Sequence, residues 1–161
     1  MTPNDLSDLT TIVVGASRGL GRGIAAALAE AGVPVIAVAR NQIALAELAD
    51  GAGNVQPEVA DATDPSVAGS LLDRHDPQAL VLVAGARPLV RPLQHQTWET
   101  FSANWQTDVR MTFNWVREAL LKPLRPGSRV IVISSAAATQ RFITASARRR
   151  LARTRQPEPT W

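Results

Sequence analysis

Short runs of uncharged, mostly β-branched residues alternate along the chain with longer stretches in which apolar residues recur every three to four positions. The short runs are typical of buried strands, and the longer stretches are typical of helices with one apolar face. The predicted strands are residues 11–15, 33–39, 54–60, 79–85 and 128–135. The predicted helices are residues 19–31, 42–50, 65–75 and 97–122. Strict alternation of apolar strands and helices predicts the α/β class, with a doubly wound, Rossmann-like parallel sheet.

Local signals define the faces and ends of these helices. Asp64 is expected to cap the third helix, with Pro65 at its first position. The long helix carries Trp98, Trp105 and Trp115. Such side chains are more often core residues than a special site, but without neighbouring elements some of them are expected to form an exposed patch. The apolar face of the first helix is predicted to consist of Leu20, Ile24, Ala27, Leu28 and Ala31.

Composition excludes several classes of protein. The chain has no cysteine and therefore no disulfide framework or thiolate chemistry. His75 and His95 lack metal-ligand spacing, so we expect both to be solvated surface residues and predict no metal site. No apolar run approaches the roughly 18 residues that cross a bilayer, and the polar start of the sequence does not resemble a signal peptide. These features predict a cytoplasmic protein with no membrane contact.

The positive net charge of +3 comes from the last part of the sequence, where residues 141–161 carry six arginines against one glutamate. We therefore predict one dinucleotide-binding domain over residues 1–140 and a basic tail over 141–161. The tail has three interpretations: a nucleic-acid or membrane-surface arm, a solvated helix, or a frame-shifted, disordered segment. The frame shift is favoured, because out-of-frame GC-rich codons encode the arginine, alanine and proline found there. A nucleic-acid partner is accordingly not expected.

Three glycines lie where the first strand passes into the first helix: Gly15, Gly19 and Gly21. A helix N-terminus offers unpaired N–H groups and a partial positive charge, and a glycine there leaves room for an anion. A plain strand–helix turn needs only one glycine. The position of all three between a predicted strand and a predicted helix favours dinucleotide binding over a plain turn.

The spacing Gly-x-x-x-Gly-x-Gly resembles the first turn of the short-chain dehydrogenase/reductase family, and the resemblance extends over about residues 10–136. Leu82 and Val83 depart from it, since the family has two asparagines before its Ala-Gly pair. The resemblance implies that the cofactor is bound by Gly15, Ser17, Arg18, Gly19, Leu20, Gly21, Asp61, Ala62, Ala84 and Gly85.

The end of the second strand indicates which dinucleotide is bound. An acidic residue there would accept the ribose hydroxyls of NAD, but this chain has Arg40 at that position. Arg18 projects from the glycine turn toward the same region. Two guanidinium groups can hold a 2′-phosphate through charge-assisted hydrogen bonds, so NADP is predicted in preference to NAD.

The resemblance implies a catalytic apparatus that this sequence does not complete. The family protonates its substrate with the tyrosine of a Tyr-x-x-x-Lys pair, but the chain has no tyrosine, and its single lysine is Lys122. Ser135 is a candidate for the family's catalytic serine, with an ordinary strand-end serine as the alternative. Asp108 stands at the position of the family's catalytic asparagine, and Asn104 lies one turn earlier on the same face.

The family also adds a further helix and two strands, so the fold is expected to be incomplete at its C-terminal side, with an exposed apolar edge on the fifth strand. By resemblance the chain is an NADP(H)-dependent oxidoreductase of small carbonyl or alcohol substrates with little or no turnover. The alternative is a non-catalytic nucleotide-binding module with a basic arm. A homo-oligomer remains open.

Overall fold

The computed structural model describes residues 9–87 and 89–134. Within these ranges five strands form a parallel sheet in the order β3-β2-β1-β4-β5. The strands are Thr11–Val14 (β1), Val35–Ala39 (β2), Val55–Val59 (β3), Ala79–Leu82 (β4) and Arg129–Val132 (β5). The order reverses between β1 and β4, and a cleft is expected at the carboxyl ends of these strands. The predicted doubly wound α/β sheet is confirmed.

Helices connect successive strands of the sheet. They are Gly19–Glu30 (α1), Gln42–Gly51 (α2), Pro65–His75 (α3), Trp98–Asn104 (α4) and Arg110–Leu121 (α5). A short 3₁₀ turn, Leu93–His95, precedes α4, and a π-helical segment, Trp105–Val109, joins α4 to α5. The single long helix predicted over residues 97–122 is therefore a continuous helical stretch with a local change of period.

Side-chain caps fix the starts of three described helices, and the cap of α4 is the hydroxyl of Thr97. The carboxylate of Asp64 accepts the N–H of Ser66 at 2.9 Å, and Pro65 occupies the first turn of α3 as predicted. The side chain of Asn41 accepts the N–H of Ala44 at 3.1 Å and caps α2 in the same way. Each cap satisfies a backbone donor that has no partner inside the helix.

The core consists of one apolar layer on each face of the sheet. On one face Ile12 and Val14 belong to the same buried cluster as Trp115 of α5. On the other face Val13 belongs to a cluster with Ala25 of α1. Because β1 and β2 are buried along their whole length, they read as continuous apolar runs in the sequence.

The face of α1 that packs on the sheet differs from the predicted one. The buried residues are Gly21, Ala25 and Ala29, whereas Leu20 is 59% exposed. The reason is the close approach of α1 to β1, which leaves room only for small side chains at the contact. Ile24 and Leu28 of the predicted face are partly buried against the same cluster. The predicted face is therefore rotated relative to the packed one and overlaps it only in part.

The fifth strand presents apolar side chains to solvent in the described part of the chain. Val130, Ile131, Val132 and Ile133 are each between 39% and 46% exposed. This confirms the expected apolar edge, which is a feature that favours pairing with another strand.

The tryptophans of the long helix divide between core and surface. Trp115 is fully buried, but Trp98 and Trp105 are 71% and 67% exposed. Trp98 and Phe101 lie with their ring centroids 5.9 Å apart on this exposed side. The expectation of a core position thus holds for Trp115 alone.

The environment of His75 also differs from expectation. Its side chain is only 10% exposed and lies 3.3 Å from a carboxylate oxygen of Glu58, so the prediction of a solvated histidine is wrong there. His95 is exposed. Within the described ranges, no helix combines the length and the apolar character that crossing a bilayer requires. The candidate Ser135 and the predicted tail 141–161 lie outside the described residues.

Candidate nucleotide-binding cleft

The turn between β1 and α1 is closely packed at two of its glycines. Gly15 has a φ of +97°, and a Cβ on it would lie 2.5 Å from the backbone nitrogen of Ala84. A Cβ on Gly21 would lie 2.2 Å from the carbonyl oxygen of Gly15. Both positions therefore require glycine, because any side chain would collide with backbone atoms. The N–H of Gly15 also donates to the carbonyl of Val38 at 2.8 Å, which ties the turn to β2.

The third glycine faces open space instead. Gly19 is the first residue of α1, and nothing lies within 4 Å of the position that its Cβ would take. The preceding residue, Arg18, makes no side-chain cap to this helix. The first amides of α1 thus face the cleft with neither an intrahelical partner nor a side-chain cap, an arrangement that favours an anion.

The structure gathers the predicted cofactor-binding residues into one cleft at the carboxyl ends of β1 to β4, with a volume of about 930 Å³. The predicted residues that line this cleft are Gly15, Ser17, Arg18, Gly19, Leu20, Gly21, Arg40, Asp61, Ala62, Ala84 and Gly85. Sequence reasoning missed several others, among them Asn41, Thr63, Arg87, Gln106 and Thr107. Gln106 and Thr107 reach the cleft from the π-helical segment, which no sequence period indicates.

Charges of both signs line the cleft. Arg18 and Arg40 lie on the β1–β2 side, and Arg87 follows β4 on the other side of the glycine turn. The pKa of Asp61 is lowered, first by the backbone N–H of Thr63, then by the Thr63 hydroxyl, and to a smaller extent by the positive charges of Arg40 and Arg110. Asp61 is therefore an anion at neutral pH, and it lines the same cleft as Arg18 and Arg40.

One helical stretch holds the loop that follows β3. The side-chain amide of Asn114 donates to the carbonyl of Thr63 at 3.1 Å, and the indole N–H of Trp115 donates to the carbonyl of Ala62 at 3.1 Å. Both acceptors belong to the cleft wall. The packing of α5 thus determines where this wall lies.

Of the two catalytic candidates, Asp108 is the one that lies within the described residues. It is placed beside the loop that follows β4, and its Oδ1 accepts the N–H of Ala86 at 2.6 Å. Asn104, on the same face, donates to Asp108 Oδ2 at 2.9 Å. The single lysine of the chain, Lys122, pairs with Asp73.

An apolar groove lies next to the cleft, with a volume of about 1190 Å³. Leu20 and Val83 line both spaces, so the groove and the cleft share a boundary. The rest of the groove is formed by Asp108 and Val109 of the π-helical segment, by α5 and by the end of β5, including Ser134. No histidine, lysine, cysteine or tyrosine lines either space in the described part of the chain. The arrangement can hold an anion, but among the described residues it has none of these four proton-donating side-chain types.

Comparisons with known proteins agree with this geometry. A model of the family described as short chain dehydrogenase matches residues 9–147. The chain is 29% identical to human L-xylulose reductase over 142 residues, which cover 86% of this chain and 57% of the relative. It is also 29% identical to the carbonyl reductase (NADPH) 2 of Sus scrofa over 133 residues, 81% of this chain and 54% of the relative.

A solved structure is similar as well. It is an NAD(P) dependent gluconate 5-dehydrogenase candidate from Beutenbergia cavernae with bound NADP at low occupancy. It matches with a TM-score of 0.74 and 28% identity, covering 84% of this chain and 57% of that one. The chain thus spans little more than half the length of the relatives that it matches.

Proposed function

The chain belongs to the short-chain dehydrogenase family, and on that premise we propose that its cleft binds NADP(H) and that the 161-residue chain has little or no turnover. The observation that carries the proposal is the open N-terminus of α1 at Gly19, which lies in the same cleft as Arg18 and Arg40. A diphosphate fits against the bare amides of this turn, since no Cβ fills the space. The fold and the family support an oxidoreductase ancestry.

Selectivity for the 2′-phosphate is proposed for Arg18 and Arg40. Both guanidinium groups line the cleft on the side of β2, where an acidic residue would favour NAD. Asp61 opposes this assignment in part, because its carboxylate already interacts with Arg40. A doubly charged phosphate offers more acceptor oxygens than one carboxylate, so it competes well for the same guanidinium group. Names of relatives that include NADPH and NADP add support.

A bound nicotinamide supplies hydride transfer, and the protein must then move a proton at the substrate oxygen. The described residues that line the cleft and the groove orient and cover a ligand, but they include no histidine, lysine, cysteine or tyrosine to donate that proton. Arginine does not titrate in a useful range, and Asp61 has a lowered pKa. Binding without efficient reduction of small carbonyl substrates is the expected behaviour. A non-catalytic nucleotide-binding module is the second candidate, favoured by the absence of tyrosine.

The test is a fluorescence titration of NADPH and NADH with the full chain. We expect NADPH to bind more tightly than NADH. Arg40→Ala should lower the affinity for NADPH by about tenfold or more, since charge-assisted hydrogen bonds contribute about 1.5–3 kcal/mol, and should change the affinity for NADH little. Arg91→Ala is the matched control, because Arg91 is exposed and does not line the cleft. Equal and negligible responses to both nucleotides would overturn the binding proposal. Rapid carbonyl reduction by the purified chain would overturn the proposal of low turnover.

A further inference from the structure

Two side chains of the long helix bond to both backbone polar groups of one residue beside the cleft. Asp108 Oδ1 accepts the N–H of Ala86 at 2.6 Å, and the amide nitrogen of Asn104 donates to the carbonyl of Ala86 at 3.4 Å. The same amide nitrogen lies 2.9 Å from Asp108 Oδ2, so the two side chains also bond to each other. We propose that Asn104 and Asp108 act together as positioning residues for the β4 loop, which we define as residues 83–87.

The chemistry of the pair requires both members. A carboxylate accepts hydrogen bonds but has no proton to donate at neutral pH, so Asp108 can bond the N–H of Ala86 but not its carbonyl. Asn104 supplies the missing donor. Its bond to Asp108 then fixes the orientation of both side chains. The two bonds that Asp108 accepts are strengthened by the charge of its carboxylate.

The local backbone is shaped to admit this pair. A Cβ on Gly85 would lie 3.3 Å from each oxygen of Asp108, so glycine allows the carboxylate to approach the loop closely. Asn104 ends α4, and Asp108 lies in the π-helical segment. A spacing of four residues places both side chains on the same side of the helical stretch.

The loop that the pair holds forms one wall of the cleft. Val83, Ala84, Gly85 and Arg87 all line it, on the side of the glycine turn opposite Arg40. Val83 and the residue before it, Leu82, are apolar, so their side chains cannot hydrogen-bond the loop. The backbone N–H groups of Val83 and Ala84 hold the start of the loop by donating to the carbonyl of Val14, each at 2.9 Å. At Ala86 the side-chain contacts come from the helix instead.

The consequence for binding follows from where the β4 loop lies, and it rests on the proposed function. If the 2′-phosphate binds at Arg18 and Arg40, the part of the dinucleotide beyond the diphosphate extends toward the β4 loop. Replacing Asn104 or Asp108 then lowers the affinity for the whole dinucleotide but not the affinity for its adenosine end alone. A general loss of folding would weaken both.

The first experiment measures the affinities of NADPH and of adenosine 2′,5′-bisphosphate, which carries only the adenosine end. We expect Asp108→Ala to lower the affinity for NADPH by roughly tenfold, which corresponds to about 1.4 kcal/mol. The affinity for the bisphosphate should change by less than about twofold. Asn104→Ala should act in the same direction with a smaller loss. Equal weakening of both ligands by Asp108→Ala, or no change in either, would overturn the positioning role.

The second experiment needs no nucleotide and so separates this inference from the proposed function. Hydrogen exchange at the amide of Ala86 is measured in the ligand-free chain. Asp108→Ala should raise the exchange rate roughly tenfold, while Asn114→Ala, which removes a helix-to-loop bond at the other wall, should leave it unchanged. Unchanged exchange in Asp108→Ala would contradict the inference even if NADPH binds. If the wild type binds neither nucleotide, the proposed function fails, and the exchange rate at Ala86 alone decides whether Asp108 positions the β4 loop. If Asp108→Ala does not fold, Asn104→Ala is measured in its place.

Discussion

Replacing Gly21 by alanine tests the close approach of α1 to β1. The added Cβ would lie 2.2 Å from the carbonyl oxygen of Gly15 and 2.8 Å from its carbonyl carbon. A normal carbon–oxygen contact is about 3.3 Å, so the start of α1 must move about 1 Å away from the strand. Both partners in the collision are backbone atoms of tightly packed elements, so neither can rotate away.

The expected cost has two opposing parts. Overpacking costs about 1–3 kcal/mol, and a collision with backbone belongs at the upper end. Alanine recovers about 1 kcal/mol of helix propensity relative to glycine. The net expectation is a loss of about 2 kcal/mol for Gly21→Ala. This is a large fraction of the roughly 5–15 kcal/mol that a domain has in total.

Gly23→Ala is the matched control in the same helix. Gly23 is exposed, and nothing lies within 4 Å of the position of its Cβ. It should therefore show only the propensity gain of about 1 kcal/mol. The two variants have the same composition and differ by two positions in the chain, so their difference isolates the packing at Gly21.

The assay is urea unfolding followed by far-ultraviolet circular dichroism and by tryptophan fluorescence, with coincident transitions as the check on two-state behaviour. With an m-value of about 2 kcal/mol/M, the midpoints of the two variants should differ by about 1.5 M. A midpoint for Gly21→Ala at or above that of the wild type would refute the close packing of the turn. Equal shifts of Gly21→Ala and Gly23→Ala would refute it as well.

Three further predictions use other contacts of the fold. Trp115→Phe should lower the free energy of unfolding by about 2 kcal/mol, because it removes the bond to the carbonyl of Ala62 and part of a buried side chain; an unchanged urea midpoint would contradict this. Asn41→Ala should cost about 1 kcal/mol through loss of the cap of α2, and calorimetry showing no lower melting temperature would count against it. The pKa of Asp61 is lowered in the folded chain, first by the N–H of Thr63, so its carboxylate stabilises the fold at pH values above the ordinary aspartate pKa of 3.8. This contribution is lost as the pH falls through the pKa of the folded state. The stability difference between wild type and Asp61→Asn should therefore shrink during acid titration, and a difference that grows toward low pH would oppose the assignment.

The sheet could be predicted because β1, β2 and β4 are apolar along their whole length, a pattern typical of strands that helices cover on both faces. That the proposed cofactor-binding residues lie together could be predicted because they follow strand ends, whose carboxyl termini meet at one edge of a parallel sheet. Arg40 follows from its place at the end of β2, and Asp61 follows from the family resemblance. Both line one cleft, although they lie 21 positions apart in the sequence.

Other features depend on packing that periodicity does not encode. Periodicity misplaces the centre of the packed face of α1, because the buried positions are Gly21, Ala25 and Ala29, while Ile24 and Leu28 are only partly buried beside them. The π-helical segment breaks the regular helical period, so Gln106 could not be placed in the cleft. The hydrogen bond from the N–H of Ala86 to Asp108 depends on the path of the β4 loop, which only the folded chain reveals.

The strand order also has a kinetic consequence. Position 11 of β1 pairs with position 35 of β2 but with position 79 of β4. Closing the longer loop costs about 0.9 kcal/mol more in chain entropy, so the β1–β2 pair is expected to form earlier on the folding route. A nascent chain would thus acquire its glycine turn and Arg40 first, and the cleft for which we propose dinucleotide binding would be complete only after the β4 crossover has docked.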